Sequence, residues 1–222
     1  MSRGPEIIRA VADMQAWSRG HREAGRRIGL VPTMGNLHEG HLSLARMAMS
    51  ESDRVVVSLF VNPTQFGPGE DYESYPRSWD EDLAKLRDLG VHYVFAPTVE
   101  ELYPAGDSTR VTVNWGQDVL CGATRPGHFD GVTTVVAKLF NATIPDLAFF
   151  GQKDAQQALI IRRMVRTLAF PLVLRLGETV READGLAKSS RNAYLNAGDR
   201  AKAQTLNLAL SAVGSALEMG ER

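Results

Sequence analysis

The sequence predicts a doubly wound, parallel α/β sheet, and three observations carry that expectation. Arg54 to Val61 is a nearly continuous apolar run rich in β-branched residues, as a strand buried on both faces requires. Strand-like runs alternate with segments of helical period, the order that produces βαβ units. A strand, a glycine-bearing turn and a helix start follow one another twice, at Pro32 to His41 and at Phe150 to Gln157.

Taken in order, residues 5–19 place Ile7, Ile8, Val11, Met14 and Trp17 at helical spacing behind Pro5, so an opening amphipathic helix is expected. Ile28, Leu30 and Val31 form a strand that empties into Pro32 to His41, after which Leu42, Leu44, Ala45, Ala48 and Met49 continue as a helix. The strand from Arg54 ends in Asn62 to Gly67. Open α/β sheets bind ligands at such strand ends, which makes Asn62 and Gln65 candidates by position. Ser78 and Glu81 have capping-box spacing ahead of a stripe of Trp79, Leu83 and Leu86 that Gly90 can stop, so Glu81 reads as structural. Val91 to Phe95 gives another strand, and Arg110 to Trp115 an alternating one outside the main sheet. Val132, Val135, Val136, Leu139 and Phe140 recur with helical period, which outweighs their β-branched content. Asp146 to Phe150 is a short strand, Leu159 to Leu168 a helix and Leu172 to Leu176 a last strand. From Thr179 the chain turns polar, then ends in a helix through Leu206, Leu210, Val213 and Leu217. A domain boundary is expected near Gly177, because residues 178–222 are too few for a core of their own.

Composition narrows the function. With 222 residues, 44% of them apolar, the chain can build a substantial core. A formal charge of -1 leaves no basic footprint for nucleic acid. No run approaches the roughly 18 apolar residues of a membrane span, and no signal peptide is apparent. Cys121 is the single cysteine, which excludes an internal disulfide and makes a cytoplasmic setting most economical; it reads as a small, partly buried hydrophobe.

His38 and His41 stand at i and i+3 on one helix face, where the first-turn N–H groups and the positive dipole end favour an anion. Lys153, Lys188 and Arg191 supply cations, and Ser189 and Ser190 hydroxyl donors, in two other segments that can converge on the same phosphate-bearing ligand. Nucleotidyl transfer is the chemistry such groups serve best, because attack at phosphorus needs positioned donors and charge more than a nucleophilic side chain. No G-x-G-x-x-G or Walker A pattern occurs, and His-Glu-Gly-His is one residue too short for the zinc-protease motif.

Together, Pro32 to His41, Phe60 to Phe66, Gly127 to Val132, Phe150 to Asp154 and Ser189 to Asn192 closely resemble the pantothenate synthetases, the pantoate:beta-alanine ligases of the HxGH nucleotidyltransferase superfamily. The resemblance implies a Rossmann-like nucleotide- and pantoate-binding domain over 1–177 and the start of an incomplete C-terminal lid domain over 178–222. It implies that ATP and pantoate form pantoyl adenylate and pyrophosphate, and that beta-alanine then displaces AMP. Carried across, His38 and His41 are the signature histidines and join Lys153 as the catalytic group. Met34, Gly40, Phe150, Gly151, Asp154, Val180, Lys188, Ser189, Ser190 and Arg191 fall on the ATP side. Gln65 and Gln157 hold pantoate, Met34, Val135 and Val136 line its dimethyl end, and Asn62 belongs to the same pocket. Tyr75, Arg125 and His128 form the far end, where beta-alanine enters. Magnesium accompanies ATP with Asp82 as its nearest protein neighbour, and a homodimer is expected. Lys188 stands where the family usually has methionine. Family members continue beyond the length seen here, so weak or no activity of this chain is expected. Two alternatives remain beside the ligase: a nucleotidyltransferase acting on a phosphate acceptor, and a nucleotide-binding module without turnover.

Overall fold

The computed structural model describes residues 4–220; residues 1–3 and 221–222, the outer ends of the two expected domains, lie outside the described residues. Six strands, β1 (Glu6–Ile8), β2 (Ile28–Thr33), β3 (Arg54–Leu59), β4 (Tyr93–Phe95), β5 (Leu147–Gly151) and β6 (Val173–Gly177), form one sheet in the order β1-β4-β3-β2-β5-β6. Every pairing is parallel, as the sequence predicts. The central strands are buried on both faces: Leu30 and Val56 join one apolar core, Val31, Val55 and Val57 the other.

The helices are α1 (Val11–Glu23), α2 (Glu39–Glu51), α3 (Trp79–Leu89), α4 (Val99–Leu102), α5 (Cys121–Thr124), α6 (His128–Thr143), α7 (Ala155–Thr167), α8 (Ala197–Ala203) and α9 (Thr205–Glu218). α1, α6 and α7 cover one face through Met14, Leu139 and Ile161, and α2 and α3 the other through Ala45 and Leu86. From β2 the chain winds outward through β3, whereas β5 and β6 lie on the opposite side. The direction therefore switches between β2 and β5, where a crevice opens at the strands' C-terminal ends.

Several expectations need correction. Ile7 and Ile8 belong to an edge strand paired with Val94 and Phe95, and α1 starts only at Val11; three residues are too few to betray their period. Arg110 to Trp115 forms no strand, because Val111 spends its backbone on α6: its N–H donates to Thr134 Oγ1 at 2.9 Å and its carbonyl accepts from Thr133 Oγ1. Ser78 and Glu81 make no capping box, since Ser78 Oγ donates to Asp82 and Glu81 sits 3.9 Å from Lys85. Cys121 is exposed. By contrast, α6 is a helix despite its valines and threonines, and Gly90 ends α3 at φ 81°, as expected. After β6 come an isolated antiparallel bridge between Arg181 and Ala187, a 3-10 turn over Ser190–Tyr194, and α8 and α9. Leu206, Leu210, Val213 and Leu217 of α9 are all exposed. No helix among the described residues is long and apolar enough to cross a membrane.

One close approach ties the fold to the crevice. α6 packs on the 3-10 turn Pro63–Gln65 so tightly that a Cβ on Gly131 would lie 2.2 Å from the Thr64 carbonyl oxygen and 2.6 Å from Gln65 Cα. Both neighbours are backbone and cannot swing aside. Gly131→Ala is therefore expected to cost about 1–3 kcal/mol in chemical denaturation, the range of overpacked cores, and to shift Gln65 relative to β2.

Candidate active site

The turn between β2 and α2 is built by local backbone chemistry. Gly35 and Asn36 both take positive φ, 81° and 48°, which reverses the chain within a few residues. Asp82, 2% exposed, closes the turn from α3: one carboxylate oxygen accepts from Asn36 N at 2.8 Å, the other from Leu37 N at 2.7 Å. Asp82 is thus a backbone clamp and does not line the cleft.

The two histidines cap the helix they introduce. His38 Nδ1 accepts from Gly40 N at 3.1 Å, and His41 Nδ1 accepts from His38 N at 3.3 Å. The rings stack with centroids 4.0 Å apart. With both Nδ1 atoms accepting, each neutral ring carries its proton on Nε2 and presents that N–H outward. Glycine at 40 leaves the His38 ring its place, because a Cβ there would meet His38 Cε1 at 2.9 Å and push the ring aside. Burial first, then the nearby Lys153 and Lys188, lower His38 to about 4. Burial, His38 and Lys153 lower His41 to about 3.

Three cavities meet here, and His41, Asp154 and Gln157 line all of them. The first, about 160 Å³, is walled by Met34, Val135, Val136 and Phe150 and edged by Asn62 and Gln65. The second runs past His38, Gly40, Gly151, Lys153, Val180 and Lys188. The third is ringed by Tyr75, Arg125, His128, Ser189, Ser190 and Arg191. Every candidate from the sequence except Asp82 therefore faces this cleft. Thr33, Phe60, Val132, Leu139, Glu178 and Thr179 also line it without having been singled out. Val132 and Leu139 share the helical stripe of Val135 and Val136, so spacing alone signals them.

Most charged candidates are already held. Arg191 makes a two-pronged pair with Asp71, both contacts 2.8 Å, and lies over the Tyr75 ring. Arg125 Nε is 2.7 Å from Glu70, its Nη1 lies 3.0 Å from His128 Nε2, and His128 Nδ1 is 2.8 Å from the Gln65 carbonyl oxygen. That contact makes Nδ1 the donor of His128, and burial lowers its pKa below the ordinary histidine value. Lys188 is paired with Glu182 at 2.8 Å, and Lys153 stands 3.5 Å from Asp154. Ser189 Oγ caps the next turn by accepting from Arg191 N, and Ser190 Oγ donates to the Asn36 carbonyl. Glu70 and Asp71 are charged partners that sequence reasoning also missed; nothing periodic marks two carboxylates in a loop. Gln156 ties the 116–121 loop to α7, and Gln157 beside it faces the cleft.

A parallel α/β sheet with paired, neutral histidines at a helix N-terminus and a ring of cations around them defines an enzyme class that handles nucleotides at a phosphorus centre. The family model described as pantoate-beta-alanine ligase matches residues 6–221, and the chain belongs to that family. It is 55% identical over 217 residues to a pantothenate synthetase of Moorella thermoacetica, covering 98% of this chain and 77% of that one. A solved pantothenate synthetase of Thermus thermophilus superposes with a TM-score of 0.91 at 49% identity, over 97% of this chain and 77% of that one. A pantoate-beta-alanine ligase of Francisella tularensis, solved with beta-gamma ATP and beta-alanine, superposes at 0.86 with 37% identity, over 91% of this chain and 78% of that one.

The lowered histidine values have a checkable sign. Between about 4 and 6.5 the unfolded chain binds a proton at His38 that the folded chain refuses, so this imidazole's contribution to stability falls as pH drops through 6.5 and levels off near 4. In a ring-proton NMR titration both rings are expected to stay neutral, Nε2-protonated, down to pH 5. A midpoint near 6.5 for either would show a solvated ring and refute the geometry.

Proposed function

We propose that the cleft between β2 and β5 joins pantoate to beta-alanine using ATP, through a pantoyl adenylate. One observation supports the reading: His41, Asp154 and Gln157 line all three cavities, the arrangement expected if acid, phosphate and nucleoside are bound around one reacting point. Pantoate occupies the first cavity, its dimethyl end against Met34, Val135 and Val136 and its polar atoms on Gln65 and Gln157. Its carboxylate oxygen attacks the α-phosphorus, and the bond from that phosphorus to the departing oxygen breaks to release pyrophosphate.

The Nε2–H groups of His38 and His41 donate to the phosphate oxygens, and Lys153 neutralises the charge that gathers there. Ser189, Ser190 and Arg191 receive the departing phosphates. Phe150, Asp154 and Val180 hold the nucleoside, and Lys188 lies beside its phosphates. A Cβ at Gly151 would meet no atom of the chain, which leaves the backbone there open to close approach by a ligand. Beta-alanine enters past Tyr75, Arg125 and His128. Its amine attacks the acyl carbon of the adenylate, the bond to AMP breaks, and the amine loses a proton to water.

Magnesium, borne on the phosphates of ATP, would supply charge neutralisation. Asp82 does not fit as its ligand, since both carboxylate oxygens are engaged by backbone N–H groups. No group of three or more His, Cys, Asp or Glu side chains among the described residues is arranged to hold a metal. Residues from 178 onward, which supply Val180 and Lys188 to Arg191, act as a second unit over the nucleotide bound in the first, 1–177. A homodimer and a cytoplasmic setting complete the proposal.

Exchange of labelled pyrophosphate into ATP is expected to require pantoate, and exchange independent of pantoate overturns the reading. His41→Ala is expected to slow that exchange on the order of a hundredfold or more, the effect of removing one well-placed donor. Asp82→Asn separates clamp from metal ligand. As a clamp it loses about 1–3 kcal/mol of stability with the magnesium dependence of exchange unchanged; as a ligand it shifts that dependence.

A further inference from the structure

We propose that Tyr103 is a positioning residue for the acid substrate: through Asn62 it fixes which end of the Gln65 amide faces the cavity. The inference rests on the ligase reading above. Tyr103, at the end of α4, does not line the cavity, yet its hydroxyl donates to Asn62 Oδ1 at 2.7 Å. Thr64 adds two more donors to the same oxygen, its hydroxyl at 3.0 Å and its backbone N–H at 3.4 Å. Asn62 is 1% exposed, so its amide has no water to fall back on and must match these neighbours.

With Oδ1 committed to donors, Asn62 Nδ2 faces two acceptors, the Gly131 carbonyl at 3.2 Å and Gln65 Oε1 at 3.1 Å. The orientation then passes to the next amide. Because Gln65 Oε1 is held by Asn62, Gln65 turns its Nε2 toward the cavity, where its contact is Met34 Sδ at 3.2 Å. A thioether is a weak acceptor that a substrate oxygen displaces readily. The pocket therefore offers an N–H donor at this point and selects an acid whose carboxylate or hydroxyl oxygen reaches it. Reversing the Gln65 amide would oppose donor to donor at Asn62. Tyr103 supplies the shortest of the bonds that prevent this.

The test is a mutant cycle read by pantoate-dependent pyrophosphate exchange. Losing one hydrogen bond in the relay, Tyr103→Phe is expected to raise the KM for pantoate about tenfold, with the KM for ATP and kcat within about twofold. In a Gln65→Ala background the same substitution is expected to change the pantoate KM by less than about twofold, because the relay has nothing left to orient. Equal losses in both backgrounds, or a parallel rise in the KM for ATP, mark a merely structural tyrosine and overturn the proposal. Gln65→Ala impaired while Tyr103→Phe matches the unsubstituted chain overturns the relay alone. A pantoate KM unmoved by Gln65→Ala overturns the assignment of Gln65, and the relay with it. Should Tyr103→Phe not fold, Asn62→Asp replaces the donor to Gln65 Oε1 with an acceptor. It is expected to raise the pantoate KM selectively and to lose that effect in the Gln65→Ala background; equal effects there overturn the relay.

Discussion

The site depends on one buried carboxylate. Asp82 reaches from α3 across the second core to take the N–H groups of Asn36 and Leu37, two donors that a tight reversal with positive φ cannot satisfy within itself. Leu37 is buried beside it, and Lys85, one turn further along α3, donates to the Leu37 carbonyl at 2.8 Å. The turn is thereby held at both of its polar faces by a neighbouring helix. The start of α2 follows from the turn, and the direction of His38 and His41 follows from that start. Family resemblance offers Asp82 as a metal neighbour, but burial and hydrogen bonding give it a structural task on which both imidazoles rely.

A second constraint comes from the other side of the crevice. Gly131 lets α6 touch the backbone of Thr64, so the loop after β3 and the valine wall on α6 are positioned as one body. Gln65 is consequently fixed relative to Val135 and Val136 before any ligand arrives. Its carbonyl is gripped by His128 and its side-chain amide by Asn62. Preorganisation of this kind reduces the ordering that binding would otherwise require.

Much of this was legible from residues alone because it rests on local chemistry. Unbroken β-branched runs report parallel strands, the period of Val132 to Phe140 overrides the β propensity of its members, and glycines beside histidines mark a capped helix start. The parts that escaped are those decided by long-range contact. Ile7 and Ile8 fit a helix and a three-residue strand equally well, and only the edge of β4 chooses between them. Arg110 to Trp115 alternates like a strand, yet two threonine hydroxyls on α6 take its backbone first. Glu70 and Asp71 acquire meaning only when Arg125 and Arg191 arrive from segments distant in sequence.

Those pairings expose a division of labour in the cleft. Arg191 and Lys188 each carry a partner carboxylate, so much of their charge is answered in the free protein, and on the proposed reading an arriving polyphosphate must compete for it. Such exchange favours ligands that bring several charges at once and disfavours a lone carboxylate. The histidines work differently. Buried in the cleft and faced by Lys153, they stay neutral and offer directed N–H bonds, which on the proposed reading leaves no net charge for the acid substrate's own carboxylate to pair with. A cationic imidazole would attract that carboxylate and tie it down at the point where it has to attack. On the proposed reading, neutral donors at the reacting phosphorus, with Lys153 beside them and shared cations around the rim, leave the acid free to react while still holding the phosphate in place.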